Sequence, residues 1–202
     1  MKKRFLLLML FVALLAPWAV KGQNTVYQKV TQLSDITSDG TYILVNEANK
    51  KVTLTTGATT SSGNYLSTST ITITDNQIDA SSLPANTAYL TISGSSTYTL
   101  KNQNDKYICG TISSGNCKLY WGTNDSHYNW NISFSNSEVS IRRTVGNSTN
   151  YLTYSYSNIV GSTTYTSGSV SLFKATEATD YPAPKNLTVT SKTAHEATLT
   201  WA

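Results

Sequence analysis

A segment near the middle of the chain, residues 118–128, groups side chains that could bind a sugar or act in catalysis. It reads Lys-Leu-Tyr-Trp-Gly-Thr-Asn-Asp-Ser-His-Tyr, so aromatic rings stand beside amide, carboxylate and imidazole groups. Aromatic faces can stack on the apolar faces of sugar rings, while amides and carboxylates bond to sugar hydroxyls. The candidate ligand-binding residues are therefore Tyr120, Trp121, Asn124, Asp125, His127 and Tyr128.

The same aromatic residues also have a structural interpretation. In a β-strand, Leu119 and Trp121 would point to one face of the sheet and Tyr120 to the other. We therefore expect one of Tyr120 and Trp121 to lie in the core. A weaker aromatic set follows later in the chain, at Tyr154, Tyr156 and Tyr165.

Groups suited to acid–base or nucleophilic catalysis are sparse. His127 is the sole imidazole before the C-terminal segment that contains His195. The sequence contains no Gly-x-Ser-x-Gly, His-Glu-x-x-His or glycine-rich phosphate motif. Most carboxylates occur in turn-like sequences, where aspartate bonds to nearby backbone groups. We predict a protein without enzymatic activity and assign no catalytic residue; a carboxylate pair assembled by folding is the alternative.

Two cysteines, Cys109 and Cys117, flank a segment rich in glycine and serine that predicts a hairpin turn. In an exported protein they could form a disulfide between adjacent strands, and two buried thiols are the alternative. Neither cysteine has the neighbours that a zinc site needs. Asn102–Asp105 lacks the acidic spacing of a calcium loop. We expect no metal and no cofactor.

The first 22 residues have the pattern of a signal peptide. Lys2, Lys3 and Arg4 precede an apolar stretch from Phe5 to Val20, and Gly22 fits the residue before a cleavage site. An uncleaved membrane anchor is the alternative, because the apolar stretch approaches the roughly 20 residues that span a bilayer. We predict export, to the cell surface or the medium, without stable membrane insertion after cleavage.

The charge balance argues against nucleic-acid binding. The chain has 15 Lys and Arg against 11 Asp and Glu, a net charge of +4. Four of the basic residues belong to the predicted signal peptide, so the mature chain is close to neutral. Nucleic-acid binding needs clustered basic residues for phosphate contact, and the mature sequence has only isolated basic pairs.

Alternating apolar residues and frequent turn signals predict an all-β protein. After an entry strand and turn at 23–40, a phrase recurs three times, at about 41–93, 97–135 and 138–174. Each unit has an apolar strand start, a Tyr-Leu or Tyr-Ile pair and an apolar closing strand. The strand starts are Tyr42-Ile43-Leu44, Tyr98-Thr99-Leu100 and Val139-Ser140-Ile141.

The central pairs of the repeated phrase are Tyr65-Leu66, Tyr107-Ile108 and Tyr151-Leu152, spaced by 42 and 44 residues. Three such units of four short strands resemble the β-trefoil, a six-stranded barrel capped by three hairpins. The resemblance implies a β-trefoil-like domain at 41–174, with an insertion near 49–63 that lengthens the first unit. It also implies that the repeated Tyr and Leu residues are mostly core. A β-sandwich is the alternative.

The flanking sequences resemble parts of modular exported proteins. Tyr27-Gln28-Lys29-Val30 together with Gly40-Thr41-Tyr42-Ile43-Leu44 resembles the opening of β-rich modules in secreted, multidomain proteins of Bacteroidetes-type bacteria. After a linker at 175–184, residues 185–202 resemble strands A and B of a fibronectin type III domain, with Trp201 as a core residue. We expect an incomplete domain here, loosely attached from 182 onward.

These features favour an exported, non-catalytic binding or adhesion module that recognises a glycan or a host or extracellular surface protein. A structural spacer and an accessory domain of a secreted hydrolase are the alternatives.

Overall fold

The computed structural model describes residues 25–113, 115–123 and 127–177, together with the strands at 188–192 and 197–200. The predicted signal peptide, Asn124, Asp125, most of the 175–184 linker and Trp201 lie outside the described residues. Thr25–Thr176 form one compact unit, and the two C-terminal strands belong to another.

The protein is all-β, as predicted, and its main unit is built on one large antiparallel sheet. Two short 3-10 helices, Leu33–Asp35 and Ala80–Ser82, interrupt the described strands. The strands of the main unit are β1 Thr25–Lys29, β2 Thr41–Asn46, β3 Lys51–Gly57, β4 Leu66–Thr70, β5 Gln77–Asp79, β6 Leu90–Gly94, β7 Tyr98–Asn102, β8 Tyr107–Ser113, β9 Asn116–Gly122, β10 Asn131–Ser135, β11 Glu138–Val145, β12 Ser148–Ser155, β13 Asn158–Ser162 and β14 Ser171–Glu177.

Three hairpins share one design. Strand β3 pairs with β4, β8 with β9 and β12 with β13, all antiparallel. The hairpins also contact each other, because β13 pairs with β4 and Asn64 forms a bridge to Leu119 on β9. Leu66, Leu119 and Ile159, one from the last strand of each hairpin, are fully buried in the same core cluster.

The remaining strands are joined through three similar cross-strand pairs. In each pair, an apolar residue on the closing strand of one unit lies opposite an apolar residue on the first strand of a repeated unit. All six residues in the three pairs are buried. The pairs are Ile92 with Leu100, Ile132 with Ile141, and Leu172 with Leu44. The third pair joins β14 to β2, and all six residues belong to one core cluster.

The entry strand β1 bridges the gap between β11 and β14. Within the described residues, β11 and β14 are not paired with each other; instead β1 runs along the free side of β14. The Val30 N–H donates to the Leu172 carbonyl at 2.8 Å, and Lys29 Nζ reaches Glu138 of β11 at 3.3 Å. Strand β1 therefore links the two strands on either side of the gap.

The predicted repeat phrase is partly wrong for the first unit. Tyr65 directly precedes β4, the second strand of its hairpin, whereas Tyr107 and Tyr151 lie on the first strands of theirs. Tyr65 is also 45% exposed. The Tyr-Leu motif therefore occurs at different strands of the hairpin in different units. A short apolar pair indicates that a segment favours a strand, but not which partner that strand pairs with.

The insertion expected at 49–63 lies elsewhere. Residues 51–57 are β3, whose pairing with β4 shifts register between Thr53 and Gly57. The extra length falls between the end of β4 at Thr70 and the start of β6 at Leu90. This segment contains β5, which pairs with β1, with Ile78 opposite Tyr27. Both side chains are buried in a second apolar cluster with Ile43 and Phe173. The insertion thus covers the outer face of β2 and β14.

The disulfide considered between Cys109 and Cys117 does not form. Both cysteines are buried thiols that are not bonded to each other. In the β8–β9 register, Cys109 lies opposite Tyr120 and Cys117 opposite Ile112, so the cysteines are three pair positions apart. That offset corresponds to roughly 10 Å along the strands and places the side chains on opposite faces. A disulfide requires Cα atoms within about 7 Å.

The C-terminal strands, β15 Thr188–Lys192 and β16 Ala197–Thr200, form an antiparallel hairpin. Val189 lies opposite Leu199, and the register shifts before Ser191. The expected loose attachment of 182–202 stays a prediction, since the segment that precedes the hairpin lies outside the described residues.

Candidate functional site

The two aromatic residues at the start of the predicted binding segment are in the core. Trp121 is 2% exposed and belongs to the main cluster, and its indole N–H lies 3.2 Å from the Leu54 carbonyl and 3.3 Å from that of Thr56. Tyr120 is 4% exposed and packs against Ala58 and Cys109. We expected one of these two residues to lie in the core. Both do, because strand β9 is covered on both faces.

The other members of the predicted site are less buried. Tyr128 is half-buried and stacks on Tyr107, with ring centroids 4.9 Å apart. Nδ1 of His127 lies 3.4 Å from the Tyr120 hydroxyl, and its backbone carbonyl accepts from the Gly110 N–H. The four predicted residues that the structure describes therefore pack against the β8–β9 hairpin. Their rings are engaged with protein neighbours rather than arranged as an open platform.

A more open aromatic surface lies at the junction of the first and third hairpins. It is a cleft of about 440 Å³. Its described lining residues are Asn64, Tyr65, Thr153, Ser155, Tyr156, Asn158, Val160, Gly161 and Ser162. The lining combines two tyrosine rings with hydroxyl and amide groups, and none of these nine residues is charged at neutral pH.

Strand register places most of these groups on one face. On the β12–β13 hairpin, Thr153 lies opposite Val160 and Ser155 opposite Asn158. Alternation puts these pairs on the outer face, since Leu152 and Tyr154, which flank Thr153, are turned toward the core. Thr153 itself is only 5% exposed, and its hydroxyl lies 3.5 Å from the Val160 carbonyl. Strand β4 then pairs with β13 through Leu66, which brings Tyr65 to the side of the cleft.

A glycine allows the two hairpins to approach closely. The Asn64 side chain accepts from the Gly161 N–H at 2.9 Å and donates to its carbonyl at 3.2 Å. A Cβ on residue 161 would come within 2.6 Å of the Asn150 side-chain oxygen. Asn150 in turn donates to the carbonyls of Thr111 and Lys118. Gly161 therefore accommodates two asparagines that tie the three hairpins together.

Tyr156 is the most exposed large apolar side chain among the described residues, at 95%. It lies at the tip of the β12–β13 hairpin with φ of 49°, and Ser157 follows with φ of 63°. Two successive positive φ values define the tight turn that usually takes asparagine or glycine. An aromatic side chain in this conformation is unusual, and such strain concentrates at functional positions.

Hydrogen bonds hold this turn in place. The Asn158 side chain donates to the Tyr156 carbonyl at 3.0 Å, and the Thr68 hydroxyl donates to the Ser157 carbonyl at 2.7 Å. Thr68 belongs to β4, so the first hairpin fixes the tip of the third. Tyr156 is thus presented to solvent by a backbone with defined geometry.

A partly buried charge cluster lies elsewhere, where β1 meets β11. Lys29 Nζ lies 2.8 Å from Glu47 and 3.3 Å from Glu138, and the Ser171 hydroxyl donates to Glu47. Burial lowers the pKa of Lys29, but hydrogen bonds and charge from Glu47 and then Glu138 outweigh it and raise the pKa above its usual value. One ammonium therefore bridges these two carboxylates and stabilises the junction.

The described residues contain no group of three metal-ligating side chains of the histidine, cysteine and carboxylate types. No helix in the described part of the chain is long and apolar enough to cross a bilayer. No protein-family model matches the sequence, and no curated protein matches it.

One tyrosine of the cleft is among the aromatic residues predicted from the sequence, and the other is not. Tyr156 belonged to the weaker aromatic set; Tyr154 of that set is half-buried against the core, and Tyr165 is 40% exposed. Tyr65 is one of the repeated Tyr and Leu residues, most of which the β-trefoil resemblance places in the core. The available signal was the Ser-Tyr-Ser-Asn stretch at 155–158, where turn-forming residues surround an aromatic residue.

Proposed function

We propose that this protein is an exported, non-catalytic binding or adhesion module that recognises glycans through the cleft beside Tyr65 and Tyr156. The observation that supports this most directly is that two exposed tyrosines line one cleft together with uncharged hydroxyl and amide side chains. Sugars need both an aromatic surface for their apolar faces and polar groups for their hydroxyls. The β12–β13 hairpin and Tyr65 offer the two together.

The arrangement of ionisable groups supports a binding role rather than catalysis. A carboxylate pair that shares one ammonium, as Glu47 and Glu138 share Lys29, is suited to structural charge balance. Acid–base catalysis needs groups that converge on a substrate site. The cleft lining offers no carboxylate or imidazole among its described residues.

We propose that the scaffold of Thr25–Thr176 is a β-trefoil. Three hairpins of equal design and three matching apolar pairs at Ile92–Leu100, Ile132–Ile141 and Leu172–Leu44 support it. In this arrangement the entry strand β1 and the insertion at 71–89 are additions to the threefold unit. We further propose that residues 185–202 correspond to strands A and B of a fibronectin type III domain, consistent with the antiparallel β15–β16 hairpin.

The export proposal rests on residues 1–22, whose charged start and apolar stretch match a signal peptide. Export would place the cleft where extracellular glycans or host and extracellular surface proteins are available. A resemblance to modules of secreted Bacteroidetes-type proteins, from the Tyr27 and Tyr42 phrases, points to the same setting.

The test is a glycan array probed with the mature chain from Gln23 and with two variants. Tyr156→Asn removes the exposed ring while keeping a residue suited to positive φ. Ser137→Asn is the matched control, because Ser137 has φ of 64° in the turn between β10 and β11 and does not line the cleft. We expect binding by the wild type and by Ser137→Asn, and loss of at least about tenfold in affinity for Tyr156→Asn.

Other outcomes would support the alternatives. An array without any signal for the folded wild-type chain would contradict glycan recognition and favour a structural spacer. Glycan binding that is unchanged in Tyr156→Asn but lost when Tyr128 is replaced by alanine would return the site to the 118–128 segment.

A further inference from the structure

The outer face of the β12–β13 hairpin continues beyond the cleft. Tyr151 lies opposite Ser162 and precedes Thr153 and Ser155 on the same face of β12. The row from Tyr151 to Ser155 covers four residue steps, or roughly 13 Å at the rise of a β-strand. This length exceeds one sugar ring, so the face can accommodate several rings in line.

Aromatic residues stand at both ends of this row. At the hairpin tip are Tyr156 and, beside it, Tyr65. At the far end Tyr151 packs against Tyr165, with ring centroids 5.6 Å apart and planes tilted by 48°. Tyr165 is 40% exposed, so part of its surface is open to a ligand. Two stacking positions are therefore separated by a polar stretch.

The intervening stretch is neutral. Between the aromatic ends, the partly exposed Ser155, Asn158 and Ser162 supply hydroxyl and amide groups, and Val160 adds an apolar surface. A carboxylate or sulfate bound here would lose water without gaining a charged partner from these residues. The composition therefore selects against acidic chains.

Strand pairing disfavours a peptide that adds to the sheet. Strand β13 is paired with β12 on one side and with β4 on the other. Its backbone groups are thus committed, whereas peptides that extend a sheet need an unpaired edge. Recognition must come from side chains on the face, which suits hydroxyl-rich ligands.

From these observations we infer that the ligand is an uncharged, unbranched oligosaccharide lying along the β12–β13 face, with one sugar at the Tyr65–Tyr156 end and another at the Tyr151–Tyr165 end. This inference rests on the proposed glycan-binding function. It adds that the site binds an internal stretch of chain rather than a single terminal sugar.

The test is calorimetry of the mature chain with cello-, manno-, xylo- and chito-oligosaccharides, each from the monosaccharide to the hexasaccharide. For at least one series we expect the affinity to rise at least about tenfold with chain length and then to level off once both aromatic ends are occupied. Tyr165→Ser should lower the affinity for the hexasaccharide to that of a short oligomer. It should lower the affinity for the disaccharide by a smaller factor than that for the hexasaccharide, whereas Tyr156→Asn should weaken every length.

Several results would overturn the inference while leaving glycan recognition intact. One is equal affinity for the monosaccharide and the hexasaccharide. Another is binding of branched array glycans while none of the four linear series binds. A third is tighter binding of an acidic chain such as polygalacturonate. An unaltered length dependence in Tyr165→Ser would likewise remove the second stacking position. Binding of peptides with silence for all glycans would contradict both the inference and the proposed function.

Discussion

Leu172 lies directly opposite Leu44, which joins the last strand of the main unit to the first strand of the first repeat. The same relationship recurs at Ile92 with Leu100 and at Ile132 with Ile141. The apolar pairs at the three junctions all belong to one core cluster, and β1 bridges the gap between β11 and β14. This core fixes the positions of the three hairpins relative to one another. The cleft lies where the first hairpin meets the third.

The three similar apolar pairs predict that truncating one residue of each pair lowers the stability of the protein by a similar amount. Leu44→Ala, Leu100→Ala and Ile141→Ala should each lower the free energy of unfolding by about 2–5 kcal/mol, because all three side chains are almost fully buried. Urea denaturation with a constant m-value is the measurement. Leu33→Ala, at a 42% exposed position, is the control and should change stability by less than about 0.5 kcal/mol. A cost at Leu44 as small as that of the control would argue against closure through β14.

The strained turn predicts a variant that is more stable than the natural protein. A residue other than glycine or asparagine in the left-handed region costs roughly 1–2 kcal/mol. Tyr156→Asn should recover part of that cost, since the Tyr156 side chain is 95% exposed and contributes little packing. Thermal and urea unfolding should show a gain of about 0.5–1 kcal/mol. A loss of stability would mean that the ring packs on the protein, and the cleft would need a different description.

A buried tyrosine predicts sensitivity to alkali. Burial, and then the charge of Tyr89, raise the pKa of Tyr27 to about 12. Unfolded tyrosine loses its proton near pH 10. Between about pH 10 and 12 the folded state therefore binds more protons than the unfolded state, and the free energy of unfolding falls as the pH rises.

Tyr27→Phe should remove this contribution, worth on the order of 2 kcal/mol at pH 12. Lys29 acts in the same direction because its pKa is also raised, so some decline should remain in the variant. The measurement is urea denaturation of both proteins at about pH 8 and at about pH 11.5. Parallel declines in wild type and variant would show that Tyr27 ionises in the folded protein as readily as in the unfolded chain.

The cysteines should be recovered as thiols. Burial raises the pKa of Cys117, and its Sγ lies 3.8 Å from the Thr149 carbonyl. Because thiolates are the reactive form, alkylation of the native protein should be slow. After unfolding without reductant, intact mass should show two alkyl groups per chain. A mass that shows an intramolecular disulfide would contradict the β8–β9 register.

The sequence was a good guide to strands and a poorer one to their partners. The strand starts at Tyr42, Tyr98 and Val139 agree with β2, β7 and β11, because alternation of apolar residues is a local property. Tyr65 was matched to the wrong strand of its hairpin. Its Tyr-Leu pair has the same strand propensity as Tyr107-Ile108, and nothing local distinguishes the two strands of a hairpin.

The candidate site was harder to predict because burial depends on distant segments. Tyr120 is covered by Ala58, a residue of the first hairpin region that comes 62 positions earlier in the chain. The turn at Tyr156 also lacks the Asn-Gly pair that usually announces its type. Its conformation is supported by Thr68 and Asn158, and the bond from Thr68 depends on tertiary structure.

The most direct test of glycan recognition at the cleft is amide chemical-shift mapping of the labelled mature chain during titration with the array glycan that binds most strongly. We predict that the largest shifts fall on residues 153–162 and on 64–66, and that Tyr156→Asn strongly reduces them at the same ligand concentration while the rest of the spectrum is preserved. Shifts confined to residues 118–128, or a spectrum that does not change with any array glycan, would contradict the account.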